Sequence, residues 1–310
     1  MDSTPQPTRN LGAWALVVAS LFWGTTGTAA TFFPHDVSPL ATGASTMAVG
    51  GVLLFAVSAK LAVSAIRDAA SRPWLMLGAL GVVAYPLAFY SSMNLAGVAI
   101  GNVVSLGSGP VFAAILEWIF ERRRLSPRWA LCTAVAVGGV ALLALGKAPA
   151  GQSTSGVGLG IGLGLVAGLA YALYTYCSSR GIRAGMAPRG VMGAMFGLGA
   201  IALVPVLLVF GSPLLQSGQT VGIAAYLAIG PMFVAYLLFG IGMRTMNSST
   251  ATSITLLEPF VATLLAVVVV GERLAPVGWI GLALILAAVT VLAATAQGAA
   301  RQPSPPHAAP

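Results

Sequence analysis

Charge is what this sequence has least of: 7% of its 310 residues are Asp, Glu, Lys or Arg, where a soluble domain carries roughly 25%. That shortage excludes a water-soluble fold. Histidine is scarce as well, with His35 in a loop and His307 in the tail, so no membrane-embedded Ser-His pair or histidine metal cluster can be assembled. Cys132 and Cys177 each stand alone in an apolar stretch, which speaks against a disulfide framework and a zinc site. Strict G-x-G-x-x-G does not occur, and the glycine-rich "GLGIGLGLVAG" lies inside an apolar run with no strand before it, so a nucleotide fingerprint is missing. These absences remove the intramembrane-enzyme reading and call for no cofactor; any energy for work comes from gradients.

What is present is hydrophobic length. Of the residues, 57% are hydrophobic, gathered in blocks of about 20, enough to cross a ~30 Å hydrocarbon core. Turn signals and charges divide the chain into ten segments, 12 to 33, 40 to 64, 74 to 95, 99 to 120, 129 to 146, 157 to 178, 190 to 210, 221 to 243, 250 to 270 and 277 to 296. The start, "TRNLGAWALVVASLFWGTTGTAA", imitates a cleavable signal but stays apolar too long, and reads as the first span. With the amino terminus inside, 13 of the 15 basic residues fall inside and leave Lys147 and Arg273 outside, as the positive-inside rule expects. Both termini are therefore expected in the cytoplasm. The net charge of +8 is spread through short loops, an orientation signal and not a nucleic-acid surface.

The chain also repeats itself. "GSGPVFAAILEWIFERRRLSPRWALCTAVAVGGVALLAL" from Gly107 and "LLEPFVATLLAVVVVGERLAPVGWIGLALILAAVTVLAA" from Leu256 align at an offset of 149, placing Pro110 on Pro259, Arg124 on Arg273, Leu125 on Leu274 and Pro127 on Pro276. "SLFWGTT" and "GLAYALY" correspond about 148 residues apart, so Trp23 matches Tyr171. The expected plan is all-α: a cytoplasmic segment 1–10, a five-helix unit 11–146, an external linker 147–156, a second five-helix unit 157–296 and a disordered cytoplasmic tail 297–310. Five spans per unit force the copies into opposite orientations, the inverted-repeat plan of many secondary transporters, with a central cavity between them.

The paired "P-x(14)-L-x-P" blocks, "LFWG" and "LEPF…GERL" resemble the EamA-type members of the drug/metabolite transporter superfamily, over residues 11 to 296. The resemblance implies an inner-membrane exporter of small metabolites, often amino acids, and is weak for substrate.

Glu258 sits near the middle of the ninth segment with no other charge in its run; a charge there costs ~2.5–3.5 kcal/mol on insertion scales. It is expected to face the cavity and bind a substrate amine, a proton or both, or else to hydrogen-bond the backbone loosened by Pro259. Pro110 and Pro259 are expected to kink helices at matching depth. Asn102 and Ser105 share a face of the fourth segment, and Thr255 ends a Ser248–Thr252–Thr255 stripe; hydrated path and interhelical hydrogen bonding both fit them. Trp23, Tyr85, Phe89, Tyr90, Tyr171, Tyr174, Tyr236 and Phe239 are mid-helix aromatics that either pack or form an amphipathic pocket able to hold a cation.

Trp74, Trp118, Trp129 and Trp279 read as interfacial belt residues. Glu117 and Glu121 read as ordinary interface charges, Glu121 spaced to pair with Arg124 and Glu117 within reach of a snorkelling arginine. Gly160, Gly164 and Gly168 form a ridge for close helix packing. The reading is a secondary transporter exporting small organic metabolites, amino acids first and aromatic or cationic drugs second, with a channel-like or structural bundle as the alternative of another class. Its partners are a small solute and the lipid bilayer; proton coupling and a homodimer stay open.

Overall fold

A segment lying in hydrocarbon must satisfy its own N–H and C=O groups, and a helix does this without help. The computed structural model describes residues 9–34, 36–96, 98–122, 126–146, 156–271 and 274–298, and these form helices and no strand. The helices are α1 (Arg9–Ala30), α2 (Pro39–Val57), α3 (Ala59–Arg67), α4 (Arg72–Ala96), α5 (Val98–Glu121), α6 (Pro127–Gly146), α7 (Val157–Arg183), α8 (Pro188–Phe210), α9 (Gly218–Leu227), α10 (Ala235–Gly242), α11 (Ser248–Ile254), α12 (Leu257–Leu265) and α13 (Pro276–Gly298). A π-helical segment, Ala228–Val234, joins α9 to α10, and a second, Ala266–Val270, follows α12. Eight helical stretches among the described residues are long and apolar enough to cross a membrane; Pro127–Leu142 and Pro276–Leu292 are apolar but shorter.

The break expected at "NLAGVAIGN" lies between Ala96 and Val98, and Gly97 lies outside the described residues. So do most of the linker, the tail beyond Gly298, and Arg124, Lys147 and Arg273. The second segment is shorter than 40 to 64: α2 ends at Val57 and α3 restarts after Ser58, whose hydroxyl donates back to Leu54 O at 2.6 Å. Asp68, just beyond α3, accepts from the Ser71 N–H at 2.8 Å. Hydrogen bonds from Ser71, side chain first and then backbone, hold its carboxyl below the usual range.

Within the bundle α4 packs on α7, α2 on α8, and α6 on α13; α5 packs on α7 and α11, and α1 on α10 and α12. The glycine ridge of α7 allows close approaches: a Cβ on Gly160 would stand 2.7 Å from Ala96 N, and one on Gly168 2.8 Å from Ser105 O. Outward-facing aliphatics stay uncovered, Ile201 at 71% and Leu208 at 78% exposure, an arrangement stable in lipid and not in water.

The two ends of the bundle differ. One carries Arg180 and Arg183 at the end of α7, Glu121 at the end of α5 and the start of α11; it is called here the arginine-rich end. Glu121 is joined to α7: Arg183 donates to both of its oxygens at 2.7 and 3.0 Å. Arg180 lies 5.1 Å over the Trp74 ring. The opposite end gathers Val37, Ala41 and Leu214, with Phe33 packed against them.

Candidate functional site

A cavity of about 70 Å³ opens among α1, α2, α4, α7, the π segment before α10, and α12. Its lining from α2 is Gly43, Thr46 and Met47, all within the first half of a helix that starts at the opposite end; from α4 it is Tyr85, Pro86, Phe89 and Tyr90, in the second half of that helix. The cavity therefore lies in the half of the bundle away from the arginine-rich end, and its lining residues Thr26, Tyr85, Phe89, Tyr90 and Glu258 are half-buried.

Three local breaks shape it. Pro231 cannot donate to Leu227 O, and the surrounding residues take π-helical form. The Pro231 carbonyl accepts from Trp23 Nε1 at 2.8 Å, which fixes the indole of α1 at the wall. Pro86 leaves Val82 O without a donor beside Tyr85, while α4 stays α-helical through it. The third break is between α11 and α12: Thr255 and Leu256 form a turn, and Glu258 is the second residue of the new helix. A carboxylate in a first helical turn is favoured by about 0.3–1 kcal/mol through the unpaired N–H groups there.

The aromatic side chains are tied to one another by hydroxyls. Tyr171 and Tyr174, three apart on one face of α7, reach in different directions: Tyr171 OH to Thr255 Oγ1 at 2.6 Å, Tyr174 OH to Tyr236 OH at 2.8 Å. Ring contacts continue the wall, Tyr85 to Phe89 stacked at 5.4 Å, Tyr85 to Tyr171 at 5.8 Å, and Trp23 to Tyr236 at 5.0 Å. Glu258 has no hydrogen-bond or ion-pair partner for its carboxylate among the described residues, and those that line the cavity with it include no Lys, Arg or His. The arrangement is a carboxylate facing a small space walled by aromatic rings, which suits a positive group with an apolar body.

Trp23, Tyr85, Phe89, Tyr171, Tyr174, Tyr236 and Glu258 thus come together at one cavity. Thr255 stands behind it as the partner of Tyr171. Asn102 and Ser105 are off the cavity, a correction to the expected hydrated path. The reason is the glycine ridge: it draws α7 so close that Ser105 is fully buried against Gly168, its hydroxyl unpartnered among the described residues. α5 runs as one helix through Pro110, while the helix before Pro259 breaks.

Residues missed by sequence reasoning are Thr26, Gly43, Thr46, Met47, Pro86, Pro231 and Met232. The small and polar stripe "TGASTM" in α2 was the available signal: a Cβ on Gly43 would stand 2.7 Å from the Tyr90 ring, so the glycine makes room for it. Glu117 is likewise no interface charge. It is fully buried and hydrogen-bonded to Ser248 and Ser249. Nor is Trp129 simply a belt residue, because its Nε1 donates to Ser249 O at 3.4 Å.

Similar proteins agree with this architecture. The sequence model of the EamA-like transporter family matches twice, over residues 10–145 and 158–294. An uncharacterized transporter of Bacillus subtilis (strain 168), YwfM, is 30% identical over 289 residues, covering 92% of this chain and 94% of the relative. Another, from Archaeoglobus fulgidus, is 33% identical over 127 residues, 41% of this chain and 45% of that protein. A solved crystal structure superposes with a TM-score of 0.75 over 94% of this chain and 97% of the other, at 22% identity, a likeness of fold.

Proposed function

Since the chain belongs to the EamA-like transporter family, we propose that it exports small organic metabolites by alternating access from the inner membrane. Its ten spans then form two inverted five-helix repeats, with both termini cytoplasmic. The double family match supports the repeat. So does the packing: exchanging each helix for its counterpart turns the α4–α7 contact into that of α1 with α10, and the α5–α7 contact into that of α1 with α12. Tyr85 against Tyr171 and Tyr236 against Trp23 are related by the same exchange. The distribution of basic residues supports the orientation.

The observation that carries the substrate reading is Glu258, unpaired in an aromatic-walled cavity. It supports a solute bearing an amino or ammonium group. Amino acids remain the first class, because the tyrosine and threonine hydroxyls of the wall can receive a carboxylate; aromatic or cationic solutes are a second reading, favoured by the absence of Lys, Arg and His among the described lining residues. The volume, ≈ 70 Å³ against the ~10–15 Å³ that holds one water, admits a small head group and not a whole drug. Proton exchange at Glu258 is compatible with this scheme, as is uniport down the solute's own gradient.

Counterflow in liposomes tests it, scanning labelled amino acids and then small organic cations, with and without a proton gradient. Saturable exchange of an amine-bearing solute that Glu258→Gln abolishes supports the reading. Exchange confined to neutral or anionic solutes, or unchanged by Glu258→Gln, refutes the role of the carboxylate.

A further inference from the structure

Glu117 lies one turn before the end of α5 and is wholly buried. One of its oxygens accepts from Ser248 Oγ at 2.6 Å and from the Ser249 N–H at 2.9 Å, the other from Ser249 Oγ at 2.8 Å. These donors are the first two residues of α11. Around them α6 adds a second fastening, Trp129 Nε1 to Ser249 O and Thr133 Oγ1 to Ser253 Oγ at 2.9 Å. The far end of α11 is tied to the cavity: Thr255 caps the helix and shares a hydrogen bond with Tyr171, and Glu258 follows three residues later. With seven residues the helix is about 10 Å long, short enough to move as one piece.

A buried carboxylate is an odd choice for permanent packing, since apolar side chains of similar volume serve at least as well. It suits a contact that must open. Closed, its hydrogen bonds are satisfied by α11; open, water replaces them, so both states are tolerated where a half-open one is not. The closure is complete in this structure, with Ser248, Ser249, Thr252, Ser253 and Met243 all buried at the arginine-rich end while the cavity lies toward the other end.

We propose that Glu117 is the gate residue of the arginine-rich end, and that α11 carries the state of this gate to Thr255, Tyr171 and Glu258. Separating Glu117 from Ser248 and Ser249 frees α11 to swing, which draws Thr255 from Tyr171 and reshapes the wall at Glu258. The inference rests on the transport reading above, and it makes Glu117 a positioning residue that need touch no solute.

The test uses the full chain in liposomes, with Cys132 and Cys177 replaced by serine and one reporter cysteine at a time: Thr252→Cys on α11, or Thr26→Cys on the cavity wall. A membrane-impermeant maleimide is applied from the side facing each reporter. Glu117→Ala is expected to raise labelling at position 252 by about fivefold or more and to lower it at position 26, because opening one end closes the other. Ser249→Ala, which leaves two of the hydrogen bonds in place, should shift both reporters in the same directions by less, and it serves if Glu117→Ala does not fold. Unchanged labelling at position 252 overturns the gate, and so does a rise at both positions, which would mean a loosened bundle. Neither reporter needs a substrate: opposed shifts in a protein that moves no tested solute keep the gate and sink the transport reading, while transport with unshifted reporters does the reverse.

Discussion

The aligned blocks from Gly107 and Leu256 place different chemistry at the same step of the repeat. In α5 the pair is Gly109–Pro110, inside a helix that continues unbroken to Glu121. In the later block it is Glu258–Pro259, just after the turn at Thr255 and Leu256. Gly109 gives its missing side chain to a neighbour, since the Tyr171 ring lies where a Cβ would come within 2.9 Å of it. Glu258 instead puts a carboxylate into the cavity whose wall that tyrosine helps to form. The two aligned blocks supply two similar helices, and the proposed function lies in their difference: one copy makes room, the other holds charge.

The largest effect is expected where the charge is. Glu258→Gln keeps the shape and removes the charge; a charge-assisted hydrogen bond of ~1.5–3 kcal/mol corresponds to a fall of about tenfold or more in exchange of an amine-bearing solute. The thermal midpoint should hardly move, because no described partner is lost. Flux equal to the parent's would show that the two copies do not differ in the way described. Gly109→Ala attacks the other copy. The added methyl meets Tyr171 Cδ1 at 2.9 Å and Cε1 at 3.3 Å, so the ring must move off Thr255, an overpacking of about 1–3 kcal/mol. A lower thermal midpoint and a flux loss of several-fold are expected together, and the Gly109→Ala, Tyr171→Leu double variant should regain the midpoint but not the flux.

The two prolines sharpen the comparison further. Pro110→Ala restores an N–H that can bond Leu106 O in a helix already continuous there, so flux should stay near the parent's. Pro259 is the third residue of α12. Its replacement by alanine offers Thr255 O a new donor, which favours joining α11 to α12 and turning Glu258 away from the cavity. A drop of about fivefold, ~1 kcal/mol, is expected in counterflow, and equal behaviour of the two variants would contradict the role given to the break.

How much of this could be read from the residues follows from what repeats and what does not. Spans, the glycine ridge and the cavity aromatics were legible because hydrophobic length, four-residue spacing and mid-helix tyrosines are local patterns. Eight helical stretches among the described residues are long and apolar enough to cross a membrane, and two shorter apolar helices stand beside them. Asn102 and Ser105 went wrong because a polar face on a helix does not say which neighbour it meets; the approach of α7 decided that. Glu117 was illegible for a related reason. Its partners stand 131 and 132 residues away, and a carboxylate near a span end looks the same in sequence whether it faces lipid head groups or the start of another helix. The break at Thr255 was hidden too, since Pro259 signals an interruption without fixing on which side it falls.

Glu117 and Glu121, one turn apart on α5, provide the smallest predicted effect and a control for the rest. Glu121 holds Arg183 through two short contacts, yet the arginine side chain is 37% exposed and Arg180 stands in reserve at 3.9 Å. Ion pairs so placed are worth about 0–1 kcal/mol, because water and salt screen the attraction and a neighbour can replace the lost cation. Arg183→Ala should therefore leave counterflow near the parent's and lower the thermal midpoint by a few degrees at most, and added salt should erase even that difference. The same carboxylate chemistry one turn deeper, at Glu117, has no solvent to take over its three hydrogen bonds in the closed state. If Arg183→Ala impaired exchange as severely as Glu258→Gln, closure of the arginine-rich end would depend on its surface charges, and the buried contact with α11 would lose its claim to be the gate.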